Sequence, residues 1–187
     1  MITDFDFSIL DYIQQHLRCN ILDAIMPLIT LFGEYGIWWI CVTLMFIALR
    51  TRRNCGLTLA AGIVICALLG NVLLKNIIAR DRPCWINESI DMLVKVPHDY
   101  SFPSGHTMIC FTCAVILVFF DKKLGIPAII LAAAVGCSRM YLYVHFPTDV
   151  FAGMIIGIVI GVITSITMRR FVFKDITHSK EQTELTV

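Results

Sequence analysis

Long apolar stretches separated by short polar connectors run through most of the chain. A helix that crosses a bilayer needs roughly 20 largely apolar residues, and stretches of this kind cover about 36–50, 55–78, 105–120, 125–143 and 148–168. A weaker one covers about 20–34, interrupted by Asp23 and ending at Gly33-Glu34-Tyr35-Gly36. The pattern predicts an all-α polytopic membrane bundle of six transmembrane helices. A short amphipathic N-terminal segment, around Phe7 to Ile13, is expected to lie along the membrane surface. No internal repeat or low-complexity tract is present. The chain reads as one membrane-embedded domain over 1–187, with a polar tail, expected to be mobile, over about 175–187.

Composition strengthens that layout. Apolar residues make up 58% of the 187 and charged residues 16%, with a mean hydropathy of +0.79; a soluble domain carries about 25% charged residues. A net charge of +1 argues against a nucleic-acid partner, which calls for a basic patch. Asp4, Asp6, Asp11 and Arg18 break up the first twenty residues, so no cleavable signal peptide is expected. Cys41, Cys55, Cys66, Cys110, Cys113 and Cys137 fall in or beside apolar stretches, where cysteine acts as a small buried hydrophobe. Cys110 and Cys113 have CxxC spacing without a second pair at zinc-binding distance. Cys84, in a polar loop, is the thiol expected at the surface.

Lysine and arginine positions set the expected orientation. Arg50, Arg52 and Arg53, then Lys122 and Lys123, then Arg169, Arg170 and Lys174 occupy alternate connectors. With six spans these share one side, the cytoplasm, and both termini are cytoplasmic. The opposite, extracytoplasmic side then receives three polar motifs. These are Lys75 to Pro83 (KNIIARDRP), Pro103 to His106 (PSGH) and Ser138 to Asp149 (SRMYLYVHFPTD). A charge buried in a bilayer costs about 2.5–3.5 kcal/mol even on permissive scales. Lys75 alone is explained by snorkelling; Lys75, Arg82 and Arg139 converging with two histidines are not.

The motifs suit phosphate chemistry. A phosphate monoester carries up to two negative charges, which the planar fork of Arg82 and Arg139 and the point charge of Lys75 can meet. Arg80 and Asp81 are less informative and can pair with headgroups or with each other. Pro103-Ser104-Gly105-His106 reads as a helix start, with Ser104 as N-cap and Gly105 allowing close approach to the backbone. Amides opening a helix attract anions, so Ser104, Gly105 and His106 are candidate phosphate donors, with His106 a nearby acid. An ordinary cap beside an interfacial histidine remains open for this motif alone. Pro147 favours a first helical turn, placing Asp149 just inside a helix that His145 precedes. A carboxylate on one ring nitrogen would leave the other free to attack. Histidine and aspartate at this spacing can also share a cation, but the surrounding lysine and arginines would repel a divalent ion. No metal and no cofactor are expected.

Together the motifs make the chain resemble the type-2 phosphatidic acid phosphatase superfamily. Its signature, K-x6-RP, PSGH and SR-x5-H-x3-D, is matched here by Lys75…Arg82-Pro83, Pro103-Ser104-Gly105-His106 and Ser138-Arg139…His145…Asp149. The likeness covers the core from about 55 to 165. It implies a six-helix bundle and a metal-independent phosphatase in which His145 forms a phosphohistidine, Asp149 orients it and His106 protonates the leaving oxygen. Lys75, Arg82, Ser104, Gly105 and Arg139 would hold the phosphoryl oxygens.

Six apolar spans separate the chain from the soluble haloperoxidases of the same superfamily. Within its membrane branch, the small size resembles bacterial enzymes that dephosphorylate undecaprenyl diphosphate in cell-wall synthesis. The expected partners are thus the bilayer and a phosphorylated lipid. A broader phosphatase acting on phosphatidylglycerol phosphate or phosphatidic acid, or a lipid phosphotransferase, would share these residues. A non-catalytic lipid-binding scaffold would be expected to lack one of them, and a transporter to carry a broken-helix pair. Trp85, Lys95, His98 and Tyr100, on the outer loop, either shape substrate choice or anchor the interface. Asp23, Glu34 and Asn71 receive no role.

Overall fold

A computed structural model describes residues 2–173; Lys174 and the polar tail lie outside the described residues. The helices are α1 (Ile2–Tyr12), α2 (Asn20–Thr30), α3 (Ile37–Ala48), α4 (Arg53–Cys66), α5 (Lys75–Ile78), α6 (Pro83–Ile86), α7 (Gly105–Phe120), α8 (Lys122–Tyr141) and α9 (Pro147–Thr167). A π-wound stretch, Ala67–Leu74, joins α4 to α5.

Helix α7 is the centre of the bundle and packs most extensively on α8 and α9. Its buried Cys110, Phe111, Cys113, Ile116 and Leu117 meet Trp39, Phe46 and Leu59 from α3 and α4, and Ala132 and Val135 from α8. Close approach of α9 depends on small residues: a Cβ on Gly157 would stand 2.4 Å from the carbonyl oxygen of Met108. Such stripes let helix backbones meet without a hydrophobic drive between them.

The expected six spans are corrected to fewer. Among the described residues, three helical runs are long and apolar enough to cross a membrane: Arg50–Ile86, Lys122–Tyr141 and Pro147–Phe171. A fourth counts if Asn20–Glu34 and Ile37–Ala48, bent by 49° at their junction, form one span. Gly36, with φ +69°, makes that bend. The stretch near 20–34 is not an independent span: it is long and apolar enough only together with Ile37–Ala48, and at the end of α8 Tyr141 donates to its Asp23 and Arg139 to its Thr30. Helix α7 has 16 residues, about 24 Å at 1.5 Å per residue, short of a hydrocarbon core of about 30 Å.

Helix α1 also differs from expectation. Asp6 and Leu10, one turn apart on the same face, are fully buried, and Phe7 packs edge-on against Phe146 with ring centroids 5.1 Å apart. The segment docks beside the start of α9. Arg52 pairs with Asp121, and Arg169 lies over Phe120, at the other end of the bundle. So α1 sits at the end opposite to that toward which α9 runs. All eight cysteines are free; Cys84 is buried, against expectation, while Cys19, Cys41 and Cys137 are exposed.

Candidate active site

The three polar motifs meet at one end of the bundle. The first is delivered by a helix stop. Ala79, in the left-handed region at φ +46°, ends α5, and the chain turns Arg80 and Arg82 inward instead of continuing outward. Pro83 then opens α6 at its first position. The third motif ends α8 with Arg139, and a tight connection through Tyr143, also left-handed at φ +58°, presents His145. Pro147 starts α9, and the Asp149 carboxylate reaches back to accept from the backbone N–H of Phe146 at 3.0 Å. That contact is half of a capping box.

His145 is 1% exposed and lies at the centre. Its Nε2 is 3.1 Å from Nη1 of Arg82, and its Nδ1 is 3.4 Å from the hydroxyl of Ser101. Ser101 donates to Asp149 Oδ2 at 2.5 Å, whereas His145 Nδ1 is 3.7 Å from that oxygen. The carboxylate thus reaches the imidazole through a serine. The tautomer satisfying both contacts carries its proton on Nδ1 and a lone pair on Nε2. Burial, then the positive charges of Arg82, Arg139 and Lys75, hold the imidazole well below the ordinary histidine value, so it is neutral.

Arg82, 2% exposed, is braced by carbonyls: Nε donates to Asp99 O at 2.7 Å and Nη1 to Val144 O at 2.7 Å. Its Nη2 donates to the Asp99 carboxylate at 2.8 Å, and Lys75 donates to the other oxygen of that carboxylate. Burial pushes the Asp99 carboxyl up, but Lys75 and Arg82 outweigh it and hold the group below the usual carboxylate range. Arg139 donates from Nη1 to Thr30 at 2.6 Å, while its buried Nε has no partner.

Ser104 takes the N-cap position of α7 without capping through its side chain, which bonds to the Thr107 hydroxyl at 2.9 Å. Its amide donates to Asp149 O at 3.1 Å. The amides of Gly105 and His106 open the helix and have no carbonyl within it to meet. A Cβ on Gly105 would stand 3.2 Å from Asn71 Oδ1. His106 Nε2 lies 3.2 Å from Glu34 Oε2.

The motif residues are therefore gathered unevenly. His145, Arg82 and Asp149 are linked directly or through one side chain, and Lys75 joins them through Asp99. Arg139 and His106 are near enough to act on the charge of His145, but their direct bonds go to Thr30 and Glu34. The reading from sequence passed over Ser101 and Asp99, although both lie within six residues of Pro103-Ser104-Gly105-His106; the neighbouring His98 and Tyr100 drew attention instead. It also left Arg80 to headgroups or Asp81, whereas Arg80 pairs with Asp6 and Asp149.

Residues 54–173 match the sequence profile of the PAP2 superfamily. The chain belongs to that superfamily. It falls in the membrane lipid phosphatase branch, related to undecaprenyl-diphosphate phosphatases. It is 37% identical over 137 residues to an undecaprenyl-diphosphatase of Sulfolobus acidocaldarius, a match covering 73% of this chain and 66% of that protein, just under two thirds of its length. It is 33% identical over 134 residues to a decaprenylphosphoryl-5-phosphoribose phosphatase of Mycobacterium tuberculosis, covering 71% of this chain and 72% of that protein. The crystal structure of a transmembrane PAP2-type phosphatidylglycerolphosphate phosphatase from Bacillus subtilis superposes with a TM-score of 0.76 at 27% identity, over 92% of this chain and 88% of that one. Sequence and fold thus agree on membership of the PAP2 superfamily, whose phosphatases are metal-independent.

Proposed function

We propose that the protein converts undecaprenyl diphosphate to undecaprenyl phosphate and inorganic phosphate through a phosphohistidine at His145. The observation that carries this reading is the neutral, buried imidazole, tied through Ser101 to Asp149 on one side and facing Arg82 on the other. The Nε2 lone pair attacks the terminal phosphorus, and the bond to the bridging oxygen breaks. Burial and the charge of Arg139 hold His106 down to about 4 in the free site, so it takes up a proton as the phosphate dianion arrives and gives it to that oxygen as the lipid monophosphate leaves. Water then attacks phosphorus and passes a proton to His106; the phosphorus–nitrogen bond breaks, its electron pair returns to Nε2, and phosphate leaves with His145 restored.

Lys75, Arg82 and Arg139, with the amides at Ser104, Gly105 and His106, stabilise the phosphoryl oxygens where charge develops. The amide of Ser104 must first leave Asp149 O, and Nε2 must leave Arg82. The unpartnered Nε of Arg139 supports that residue's place in the site, since a buried donor without an acceptor is rarely left so. The choice of lipid is supported by likeness to the Sulfolobus relative. The likeness to the Bacillus structure favours a second reading, hydrolysis of phosphatidylglycerol phosphate. The site is proposed to face away from the cytoplasm, because Arg52, Lys122, Lys123 and Arg169 cluster at the opposite end; α1 then lies on the site's side.

The test is phosphate release by the purified protein in detergent with EDTA. Undecaprenyl diphosphate, phosphatidylglycerol phosphate and phosphatidic acid are compared, with His145→Ala as control. Preference for undecaprenyl diphosphate, lost in the variant, supports the reading; preference for phosphatidylglycerol phosphate supports the second. Near-normal turnover by His145→Ala would remove His145 as nucleophile.

A further inference from the structure

We propose that Asp6 and Arg80 are positioning residues of the phosphatase reaction: a buried strut from α1 that holds Asp149, and through Ser101 the imidazole of His145. The inference rests on the role just given to His145 and adds a part of the chain, α1, that lies outside the matched region 54–173.

The strut is continuous. Asp6 is fully buried. Its Oδ2 accepts from Arg80 Nη2 at 2.6 Å and from the Thr148 hydroxyl at 2.6 Å, and its Oδ1 accepts from the Thr148 amide at 3.1 Å. The other arm of the guanidinium, Nη1, donates to Asp149 Oδ1 at 2.6 Å and to the Thr148 hydroxyl at 2.7 Å. Phe146 lies beneath Arg80, with its ring centroid 4.0 Å from the guanidinium carbon.

Two buried carboxylates thus share one planar fork, which fixes the angle between them as well as the charge. Asp149 uses its two oxygens differently. Oδ1 belongs to Arg80, and Oδ2 takes Ser101 and the Phe146 amide. With Oδ1 held, Oδ2 is aimed at the serine that bridges to His145. Without Asp6, Arg80 keeps Thr148, Asp149 and Phe146 on one arm but loses the carboxylate that holds Nη2 and, with it, the angle of the fork; without Arg80, Asp149 can rotate away from Ser101. Among the described residues, no hydrogen bond or ion pair joins either side chain to Lys75, Arg82 or Arg139, so the strut acts on the nucleophile and leaves phosphate binding to other groups.

Those roles separate in kinetics. The full-length protein in detergent is assayed on whichever of undecaprenyl diphosphate or phosphatidylglycerol phosphate the wild type hydrolyses, with orthovanadate as a phosphate analogue and thermal unfolding as a fold control. Mutation of outer-shell partners commonly costs about 10- to 100-fold in activity. Asp6→Asn is expected to lower kcat about tenfold and Arg80→Gln about 100-fold, with KM and vanadate inhibition within about threefold of wild type. The double variant is expected to be no slower than Arg80→Gln alone, since both act through one contact. Arg80→Lys, which keeps the positive charge without the fork, should fall between, and it carries the test if Asp6→Asn fails to fold.

Wild-type kcat in Arg80→Lys and Asp6→Asn would overturn the proposal. So would multiplicative losses in the double variant, or parallel loss of kcat, KM and thermal midpoint, which describe a structural staple. Normal turnover by His145→Ala is read separately: it removes the nucleophile and not the measured effect of the strut.

Discussion

The two ends of the bundle hold the same kinds of charged side chain under opposite conditions. At one end Arg52 donates to Asp121 at 2.9 Å, with the two side chains 40% and 24% exposed. At the other, Arg82 is 2% exposed and Asp6 and Asp149 are fully buried. An exposed pair is screened and contributes little. A buried one has given up its water, and removing one member leaves an uncompensated charge. Each buried group at the site end is accordingly matched to named partners, with Arg139 Nε as an exception. Position along the bundle, and not residue type, separates charges that are buried against fixed partners from charges left in solvent.

Substitutions can break this contrast in a graded way. The largest effect is expected for His145→Ala, with phosphate release falling to background in the detergent assay while Arg52→Ala retains it. Ser101→Ala comes next. It removes the bridge to Asp149 but no phosphate donor, so kcat should fall about 10- to 100-fold with KM little changed. An equal rise in KM would show that Ser101 acts on binding instead.

A smaller effect concerns pH. The native imidazole of His145 is held well below the unfolded value near 6.5. Between the two values the unfolded chain binds the extra proton, so stability rises with pH through that window and is level above it. The thermal midpoint should fall as pH drops below about 6.5, by up to about 1.4 kcal/mol per pH unit for this single proton. His106, held down to about 4, adds a second such proton between about 4 and 6.5, so His145→Asn should lessen the slope without abolishing it; an unchanged slope would place the proton elsewhere. The smallest effect is expected for Arg52→Ala, within about 1 kcal/mol of stability and diminishing with salt.

The contrast also bears on what could be read from the chain. Apolar stretches announced a membrane protein and three motifs announced its chemistry, because periodicity and spacing are local. The number of spans was not legible, since hydropathy does not reveal the 49° bend between Asn20–Glu34 and Ile37–Ala48, nor that α7 has only 16 residues. Nor were Thr30 as a partner of Arg139, or Glu34 of His106, which are 109 and 72 residues apart in the chain. Asp6 was half legible. It falls four residues before Leu10 and therefore on the same face of α1. A carboxylate on an apolar face asks for a buried cation.

The carboxylate of Asp99 has a consequence of its own. It sits about half in solvent between Lys75 and Arg82, so these cations hold a resident counter-ion before any lipid arrives. For a phosphoryl group that takes the same two residues, entry is an ion exchange: one anion is released as another is taken up. Affinity is then a difference between two anions, and a monovalent carboxylate sets the threshold that a divalent newcomer surpasses.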